Sequence, residues 1–317
     1  MKLDNTMLSL HQTCPSKYDL RINQNWTMRR KSAALGFGAA LHSGLAVWYS
    51  CTPGLTAQGT RGRIDRAIDA IERQWPAEHP IDDFRTLGKC KDVMLDYAHT
   101  YPNETFKVLG IDEGRPMVEQ ACTLMTGLYL SCFTCGPEYH DAEGICPRCA
   151  VALEPIEYGG IFDTLVDFSS QIFILEHKST SVLGSTYFLQ FRPNNQVTGY
   201  VWIAAGLSGR RVSGTIVNAI GVYKSSATKF ERHITTRNQA DIDEWLKNVQ
   251  AVAEEIQHHK RTGFWPMRTA ACTIYGTCEF HNVHVLTSQI EREKRLEFDY
   301  VKSTWDFEKR SDNGGTT

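Results

Sequence analysis

The chain has 317 residues, of which 42% are hydrophobic and 22% charged, and its formal net charge is −2 at pH 7. This composition is that of an ordinary soluble globular protein, and the length suits one α/β core with insertions. The near-neutral charge excludes a globally basic surface, so any binding of nucleic acid would depend on local clusters of Lys and Arg.

The N-terminus, MKLDNTMLSLHQTC, lacks the apolar core of a secretory signal peptide. Residues 33–49 form the most apolar stretch, but they are rich in small residues and contain His42 and Ser43. We therefore expect a buried core helix there and no membrane association. Ten cysteines without a secretion signal favour a reducing, cytoplasmic compartment, in which cysteines bind metals or clusters and do not form disulfides.

Hydrophobic periodicity predicts a mixture of helices and strands in chain order. A short helical segment, interrupted at Pro15, comes first. The predicted helices span residues 31–50, 60–76, 82–100 and 239–261, and the predicted strands span 105–111, 118–130, 214–223 and 229–235. Between these two groups of strands lies a β-hairpin that turns at Ser169-Ser170.

The hairpin brings acidic and basic side chains together. If Ser169 and Ser170 form its loop, Asp163 lies directly opposite Glu176, with Cβ atoms roughly 4.5–5.5 Å apart. Two carboxylates at that distance repel each other unless a cation lies between them, and a divalent metal is the usual solution. Lys178 follows Glu176 by two residues, so it lies on the same face of the strand. The hairpin thus predicts a metal-binding acidic pair beside an ammonium group.

A helix motif, Gln196-x-x-x-Tyr200, follows the hairpin, and its two polar residues share one helix face because they are four positions apart. Together with the hairpin it resembles the active site of the PD-(D/E)XK nuclease superfamily, in the branch of RecB-like and CRISPR-associated exonucleases. The matching motifs are Gly160-x-x-Asp163, Glu176-His177-Lys178 and Gln196-x-x-x-Tyr200. The resemblance implies an α/β, restriction-endonuclease-like core, in which a mixed central sheet is flanked by helices.

The resemblance also implies a metal-dependent reaction on phosphodiester bonds. It assigns Mg²⁺ or Mn²⁺ to Asp163, Glu176 and the main-chain carbonyl of His177. His42 is a further ligand by resemblance, because Gly38-x-x-x-His42 matches a helix of the same branch, and a nitrogen ligand favours Mn²⁺.

The remaining roles follow from the same resemblance. Lys178 would orient the attacking water or stabilise the developing charge, while Gln196 and Tyr200 would position the scissile strand. An acidic residue before the core strands is also expected. Asp112, Glu113 and Glu119 are the alternatives for it.

Residues 132–149, CFTCGPEYHDAEGICPRC, contain two Cys-x-x-Cys pairs separated by ten residues. This spacing is typical of a tetrahedral Zn²⁺ site and favours zinc over iron. Four thiolates close the coordination shell and leave no position for catalysis. The predicted ligands of this zinc-ribbon insertion are Cys132, Cys135, Cys146 and Cys149. The insertion either stabilises a short hairpin or contacts DNA.

Four residues near the two ends of the chain resemble the cysteine clasp of iron–sulfur RecB-type exonucleases. They are Cys14, Cys272, Cys278 and His284. The resemblance implies a [4Fe-4S] cluster, but His284 stands where that family has a cysteine. Imidazole can replace thiolate on a cluster iron. Zinc on the same four residues, or no metal at all, are the alternatives.

We expect five regions: an N-terminal segment with Cys14 (1–31), a helical region with the first core strands (32–131), the zinc-ribbon insertion (132–149), the nuclease core (150–262), and the C-terminal clasp with its polar tail (263–317). No Walker motif is present, which indicates a nuclease module without its own motor.

The expected function is that of a metal-dependent DNA exonuclease in recombination or end processing, in a bacterium or a phage-infected host. It would act on single-stranded DNA or DNA ends, with a recombination protein as its partner. The alternatives are a structure-specific or CRISPR-adaptation endonuclease and a non-catalytic DNA-binding protein that uses zinc and cluster modules.

Overall fold

The structure is a computed structural model that describes residues 1–29, 32–50, 57–78, 80, 83–110, 115–136, 143–274 and 276–309. Its strands are β1 (Lys2–Asp4), β2 (Trp26–Met28), β3 (Lys107–Val108), β4 (Val118–Tyr129), β5 (Pro155–Phe168), β6 (Gln171–Thr180), β7 (Val212–Gly221), β8 (Lys229–Thr236) and β9 (Tyr300–Lys302). Its α-helices are α1 (Asn5–Thr13), α2 (Pro15–Tyr18), α3 (Ala33–Ser50), α4 (Ala57–Gln74), α5 (Leu87–Thr100), α6 (Asn195–Ser208), α7 (Gln239–Thr262), α8 (His281–His284) and α9 (Gln289–Asp299).

The chain divides into two compact units, each assembled from separated segments. The core unit contains the described residues of Lys31–Cys122, Gly160–Ile242 and Glu308–Thr317. The cysteine unit contains those of Met1–Arg30, Thr123–Gly159 and Asp243–Phe307.

A mixed sheet organises the core unit. Its strands follow the order β5-β6-β7-β8, and β3 also pairs with β5. The β5/β6 and β7/β8 pairs are antiparallel, whereas β6 and β7 are parallel. Parallel neighbours need a crossover connection, and α6 provides it between β6 and β7. The fold class predicted from the sequence, a mixed central sheet flanked by helices, is confirmed.

The two faces of this sheet pack against different helices because strand side chains alternate in direction. Leu175 and Ile216 lie in a buried cluster with residues of α3, α4 and α5. Val217, the next residue of β7, packs with Phe191 and with Val197 of α6. The sheet is therefore covered on both sides within the core unit.

The apolar stretch near residue 40 forms α3, as the sequence predicts. Phe37, Leu41, Leu45 and Trp48 are all buried in the core cluster. Within the described residues, no helix combines the length and apolar character needed to cross a bilayer.

The cysteine unit has its own small core. β1 pairs in parallel with residues 157–159, the start of β5, and β2 pairs with β9 in antiparallel fashion. Asp4 caps α1 by accepting from Met7 N–H at 2.8 Å, and it also accepts from Trp305 Nε1 at 2.6 Å. The rings of Phe280 and Tyr300 stack at 5.1 Å.

Two predicted elements are shorter than expected. The helix predicted from residue 82 begins at Leu87, because Thr86 takes the N-cap position and accepts from Lys89 N–H at 3.1 Å. The strand predicted over 105–111 is reduced to Lys107–Val108. The predicted polar tail from residue 311 lies outside the described residues.

Candidate active site

The β5–β6 hairpin has the predicted loop and register. Ser169 and Ser170 have φ values of 53° and 62°, which is the left-handed conformation that a two-residue type I′ turn requires. The paired residues run from Phe168 with Gln171 to Thr164 with Leu175. The positions that follow this ladder are those of Asp163 and Glu176.

Asp163 connects this hairpin to α3. Its Oδ2 accepts from the backbone N–H of His177 at 2.6 Å, so the carboxylate takes a main-chain donor of β6. Its Oδ1 lies 3.2 Å from His42 Nδ1. Gly38, one turn before His42, lies close to β6, since a Cβ placed there would be 3.4 Å from Ser179 Oγ.

A cluster of three potential ligands forms around Asp163. One ligand atom from each of His42, Glu119 and Asp163 lies within 4.8 Å of the others. Glu119 Oε1 is 3.8 Å from His42 Nδ1. Glu119 has a φ of 48°, a left-handed conformation that costs a non-glycine residue of order 1–3 kcal/mol. Of the three acidic alternatives considered for this position, Asp112 and Glu113 lie outside the described residues, and Glu119 is placed at the cluster.

Glu176 and Lys178 form the second half of the site. Lys178 Nζ donates to Glu176 Oε1 at 2.7 Å and to Gln196 Oε1 at 2.8 Å. Gln196 Nε2 in turn donates to Tyr200 Oη at 3.1 Å, so the two residues of the helix motif share one face as expected. Asn194 holds the start of this helix by capping Val197 N–H at 2.9 Å.

Gly160 allows α6 to approach the hairpin at this point. A Cβ at residue 160 would lie 2.9 Å from Tyr200 Cε1, which is closer than real Cβ contacts. The first residue of the Gly160-x-x-Asp163 motif is therefore small because the tyrosine ring occupies the adjacent space.

The charges of the site perturb one another strongly. Burial, followed by the charge of Asp163, raises the pKa of Glu176 to about 7. Burial also opposes the ionisation of Asp163, but the charge and hydrogen bond of His42 outweigh it and lower its pKa. Conversely, Asp163 and Glu119 raise the pKa of His42 well above its usual value, although burial opposes this. Asp163 and Glu176 are buried, whereas Glu119 and His42 are half-buried, and Glu176 lies outside the group of ligand atoms that His42, Glu119 and Asp163 form. The charges of these carboxyl groups favour a bound cation.

Glu176 also has a free ligand atom. Its Oε2 is buried and has no hydrogen-bond partner among the described residues. A buried carboxylate oxygen without a partner costs about 1–3 kcal/mol or more. The donor set of carboxylate oxygens with one imidazole nitrogen suits a hard divalent ion such as Mg²⁺ or Mn²⁺.

The imidazole of His177 points to the other face of the sheet. Its ring stacks on Tyr49 at 5.4 Å, and its Nδ1 lies 2.8 Å from Asn218 Nδ2. Burial lowers its pKa to about 3, so the ring is neutral. Because Asn218 Nδ2 can only donate, Nδ1 is the accepting nitrogen of the ring.

A buried polar network holds this imidazole. Arg232 donates to Asn218 Oδ1 at 3.2 Å and forms a two-pronged pair with Glu104 at 2.7 and 2.8 Å. Tyr49 Oη donates to Glu104 at 2.5 Å. Sequence reasoning missed these residues. Only Asn218 gave a signal, because it is a polar residue within the apolar run of β7.

The four predicted zinc ligands come together in the cysteine unit. One sulfur of each lies within 4.8 Å of the others. The Sγ atoms of Cys132 and Cys149 are 3.7 Å apart, and two ligands at 2.3 Å from a tetrahedral zinc would be about 3.8 Å apart. All four of these thiols are free.

The two Cys-x-x-Cys turns have the same backbone geometry. Gly136 N–H donates to Cys132 O at 3.0 Å, and Ala150 N–H donates to Cys146 O at 2.9 Å. Gly136 and Ala150 have φ values of 111° and 56°. Burial opposes ionisation of the Cys146 thiol, but the backbone N–H groups of Cys149 and Arg148 lower its pKa to about 7. Such N–H groups stabilise the thiolate that a metal requires.

The four clasp residues also lie in the cysteine unit. Within the described parts of the chain, their ligand atoms do not form a group within 4.8 Å of one another, the spacing of ligands that share one ion, whereas the ligands of a [4Fe-4S] cluster bind different iron atoms and lie farther apart. His284 Nε2 lies 3.1 Å from Ser16 Oγ, and Cys14 Sγ accepts from Arg268 N–H at 3.4 Å. The iron–sulfur cluster stays a prediction.

A mixed sheet whose central hairpin carries Asp163 and the Glu-x-Lys motif is the arrangement of one nuclease class. A family model described as the PD-(D/E)XK nuclease superfamily matches residues 5–283, and the chain therefore belongs to this superfamily. The chain is also similar to the solved structure of a candidate exonuclease from Eubacterium rectale. Identity is 10%, the TM-score is 0.48, and the match covers 91% of this chain and 90% of that chain. No curated protein matches the sequence.

Proposed function

We propose that this nuclease is a metal-dependent deoxyribonuclease of the RecB-like branch that digests DNA from its ends. The observation that carries the proposal is the unpartnered Oε2 of Glu176, buried beside Asp163 and its cluster with His42 and Glu119. The pairing of Gln196 and Tyr200 next to Lys178 supports the branch assignment.

Asp163, Glu176, Glu119, His42 and the carbonyl of His177 would hold Mg²⁺ or Mn²⁺. Such an ion supplies Lewis-acid stabilisation of charge on phosphate oxygens and lowers the pKa of a water molecule. The imidazole ligand favours Mn²⁺ of the two.

Side chains of this protein would orient the substrate and stabilise its developing negative charge. The Lys178 ammonium has three donors, of which Glu176 and Gln196 occupy two. Its third donor is available for the attacking water or for a phosphate oxygen whose negative charge increases in the transition state. Gln196 and Tyr200, held on one face of α6, would position the scissile strand.

End-labelled single- and double-stranded DNA, incubated with and without Mn²⁺, tests the proposal. We expect Mn²⁺-dependent release of label from the parent protein. Lys178→Ala should cut about 10²–10³-fold more slowly, the usual cost of removing one charge-stabilising donor, while its affinity for DNA is unchanged. Lys107→Ala, an exposed lysine of β3, is the matched control and should cut at the parental rate. If Lys178→Ala cut as fast as the parent, the assigned catalytic role would be wrong.

Linear and circular DNA distinguish the two enzyme hypotheses. An exonuclease requires an end and leaves a closed circle intact, whereas a structure-specific or CRISPR-adaptation endonuclease cuts without an end. A non-catalytic DNA-binding protein would cut neither substrate. By analogy with the branch, the physiological setting would be recombination or end processing, with a recombination protein as partner.

The cysteine clusters would hold two further cofactors. The gathering of four sulfurs within 4.8 Å of one another, with Cys132 and Cys149 at 3.7 Å, supports Zn²⁺ on Cys132, Cys135, Cys146 and Cys149. The [4Fe-4S] cluster on Cys14, Cys272, Cys278 and His284 is supported by the sequence resemblance alone. Protein purified without oxygen should be brown and contain iron if the cluster is present. Colourless protein that contains only zinc would remove this part of the proposal.

A further inference from the structure

A basic cavity lies in the core unit at the opposite end of β6 from the catalytic residues. Its volume is about 610 Å³, and it is lined by the hairpin turn, by the start of β7 and by the end of β8. Lys178 lies six positions along β6 from Ile172, which lines the cavity. At about 3.3 Å per strand residue, this corresponds to roughly 20 Å.

Arginine dominates the lining of this cavity. Arg192, Arg210, Arg211 and Arg237 contribute four positive charges, and Asp167 contributes one negative charge. Arg210 and Arg211 are exposed, and their guanidinium groups have no hydrogen bond or ion pair with any described residue. Two neighbouring unpaired guanidinium groups repel each other, so an anion between them is favoured.

Arg237 forms the buried wall of the cavity. Its guanidinium donates to Thr198 Oγ1 at 2.8 Å, to Thr235 Oγ1 at 2.9 Å and to Phe191 O at 2.6 Å. All of these acceptors are neutral, and the charge of Asp241 acts on the guanidinium from nearby. Arg192 is partly neutralised, because it lies 3.3 Å from Asp241.

An apolar groove of about 490 Å³ adjoins the cavity and shares Arg192 and Thr236 with it. Phe188 and His233 line this groove, and their rings stack at 5.0 Å with an interplanar angle of 26°. The preceding residue, Tyr187, interacts electrostatically with the Lys178 ammonium group. The groove therefore adjoins the arginine cavity, and the residue before Phe188 lies near the active-site lysine.

We propose that the arginine cavity binds phosphates of the DNA strand that is cut, and that the Phe188–His233 groove stacks its bases. Guanidinium groups match phosphate oxygens with two parallel hydrogen bonds, and aromatic rings stack on bases without sequence preference. A single nucleotide could not fill a path of roughly 20 Å, whereas a strand could. This inference rests on the proposed function, because it names the path of that substrate.

The test measures binding without cleavage. The probe is a fluorescent single-stranded oligonucleotide of about 15 nucleotides. It is longer than the proposed path, because ~20 Å corresponds to roughly six phosphates at duplex spacing. Its Kd is determined by anisotropy without added Mn²⁺ over a range of salt concentrations. The variant Arg210→Ala/Arg211→Ala is compared with Arg61→Ala/Arg73→Ala, which removes two exposed arginines of α4.

We expect the cavity variant to raise Kd at least about tenfold at low salt, since two charge-assisted hydrogen bonds are lost. The slope of log Kd against log salt concentration should fall by about 1.4, because each lost phosphate contact on a single strand contributes about 0.7. Phe188→Ala should raise Kd about fivefold or more and leave the salt slope unchanged, because stacking releases no counterions. Equal Kd and salt slope for the cavity variant and the α4 control would overturn the proposal.

Binding of small phosphates distinguishes a site for a free phosphate from a site for a DNA strand. If inorganic phosphate or dTMP bound to the parent but not to Arg210→Ala/Arg211→Ala, while oligonucleotide affinity stayed equal, the cavity would serve a free phosphate and the DNA path would be wrong. Failure of the proposed nuclease function is seen separately, as absence of cleavage by the parent with Mn²⁺, because the binding assay needs no catalysis.

Discussion

The buried pair of Glu104 and Arg232 gives the most direct prediction on how the site is supported. Glu104→Ala removes a carboxylate that accepts two hydrogen bonds from Arg232 and one from Tyr49. Both partners of the ion pair are mostly buried, with 13% and 18% of their side chains exposed. Breaking a buried pair by removing one partner costs about 3–5 kcal/mol, and the residual exposure places our expectation near 3 kcal/mol.

Urea unfolding followed by circular dichroism measures this loss, provided that the slope m is unchanged. Glu72→Ala is the matched control, because Glu72 pairs with Lys91 on the surface of the same unit and should cost less than about 1 kcal/mol. If Glu104→Ala lost no more stability than Glu72→Ala, the network would not support the fold as we describe it.

Three further predictions concern separate parts of the molecule. Burial, followed by the charges of His259 and Arg268, lowers the pKa of His11 from 6.5 to about 4. The imidazole is therefore protonated at higher pH in the unfolded chain than in the folded protein. As a result, the free energy of unfolding falls as pH drops from about 6.5 to 4. Between pH 7 and 5, the free energy of unfolding of His11→Leu should fall by about 2 kcal/mol less than that of the parent. An equal fall in the two proteins would contradict this prediction. Cys135→Ser should lower bound zinc, measured by elemental analysis, from one equivalent towards zero; full zinc content would refute the four-cysteine assignment. Gly160→Ala should displace the Tyr200 ring and slow Mn²⁺-dependent cleavage at least tenfold, so a parental rate would show that the contact is unimportant.

The sequence predicted the hairpin well because local rules determine it. Two residues with turn character between β-branched runs set the loop, and the strand period of two then sets the register of Thr164 with Leu175. The cysteine spacing is local in the same way, since each Cys-x-x-Cys turn is closed by its own backbone hydrogen bond. Helix periodicity likewise predicted that Gln196 and Tyr200 share a face.

Site residues whose positions depend on contacts between distant parts of the sequence could not be predicted from local patterns. Glu119 was one of three acidic alternatives, because its orientation depends on a left-handed backbone conformation at the start of β4. Glu104 and Arg232 are 128 residues apart, and no periodic pattern connects them. The clasp also joins distant residues, Cys14 with Cys272, Cys278 and His284, and a sequence resemblance alone names them as ligands.

Anomalous diffraction at the manganese edge, from crystals grown with Mn²⁺, locates the catalytic metal. We expect a manganese peak within bonding distance of Asp163 and Glu176 Oε2, with His42 or Glu119 completing the protein ligands. A manganese peak elsewhere, or none at these residues while the same preparation cuts DNA, would contradict it.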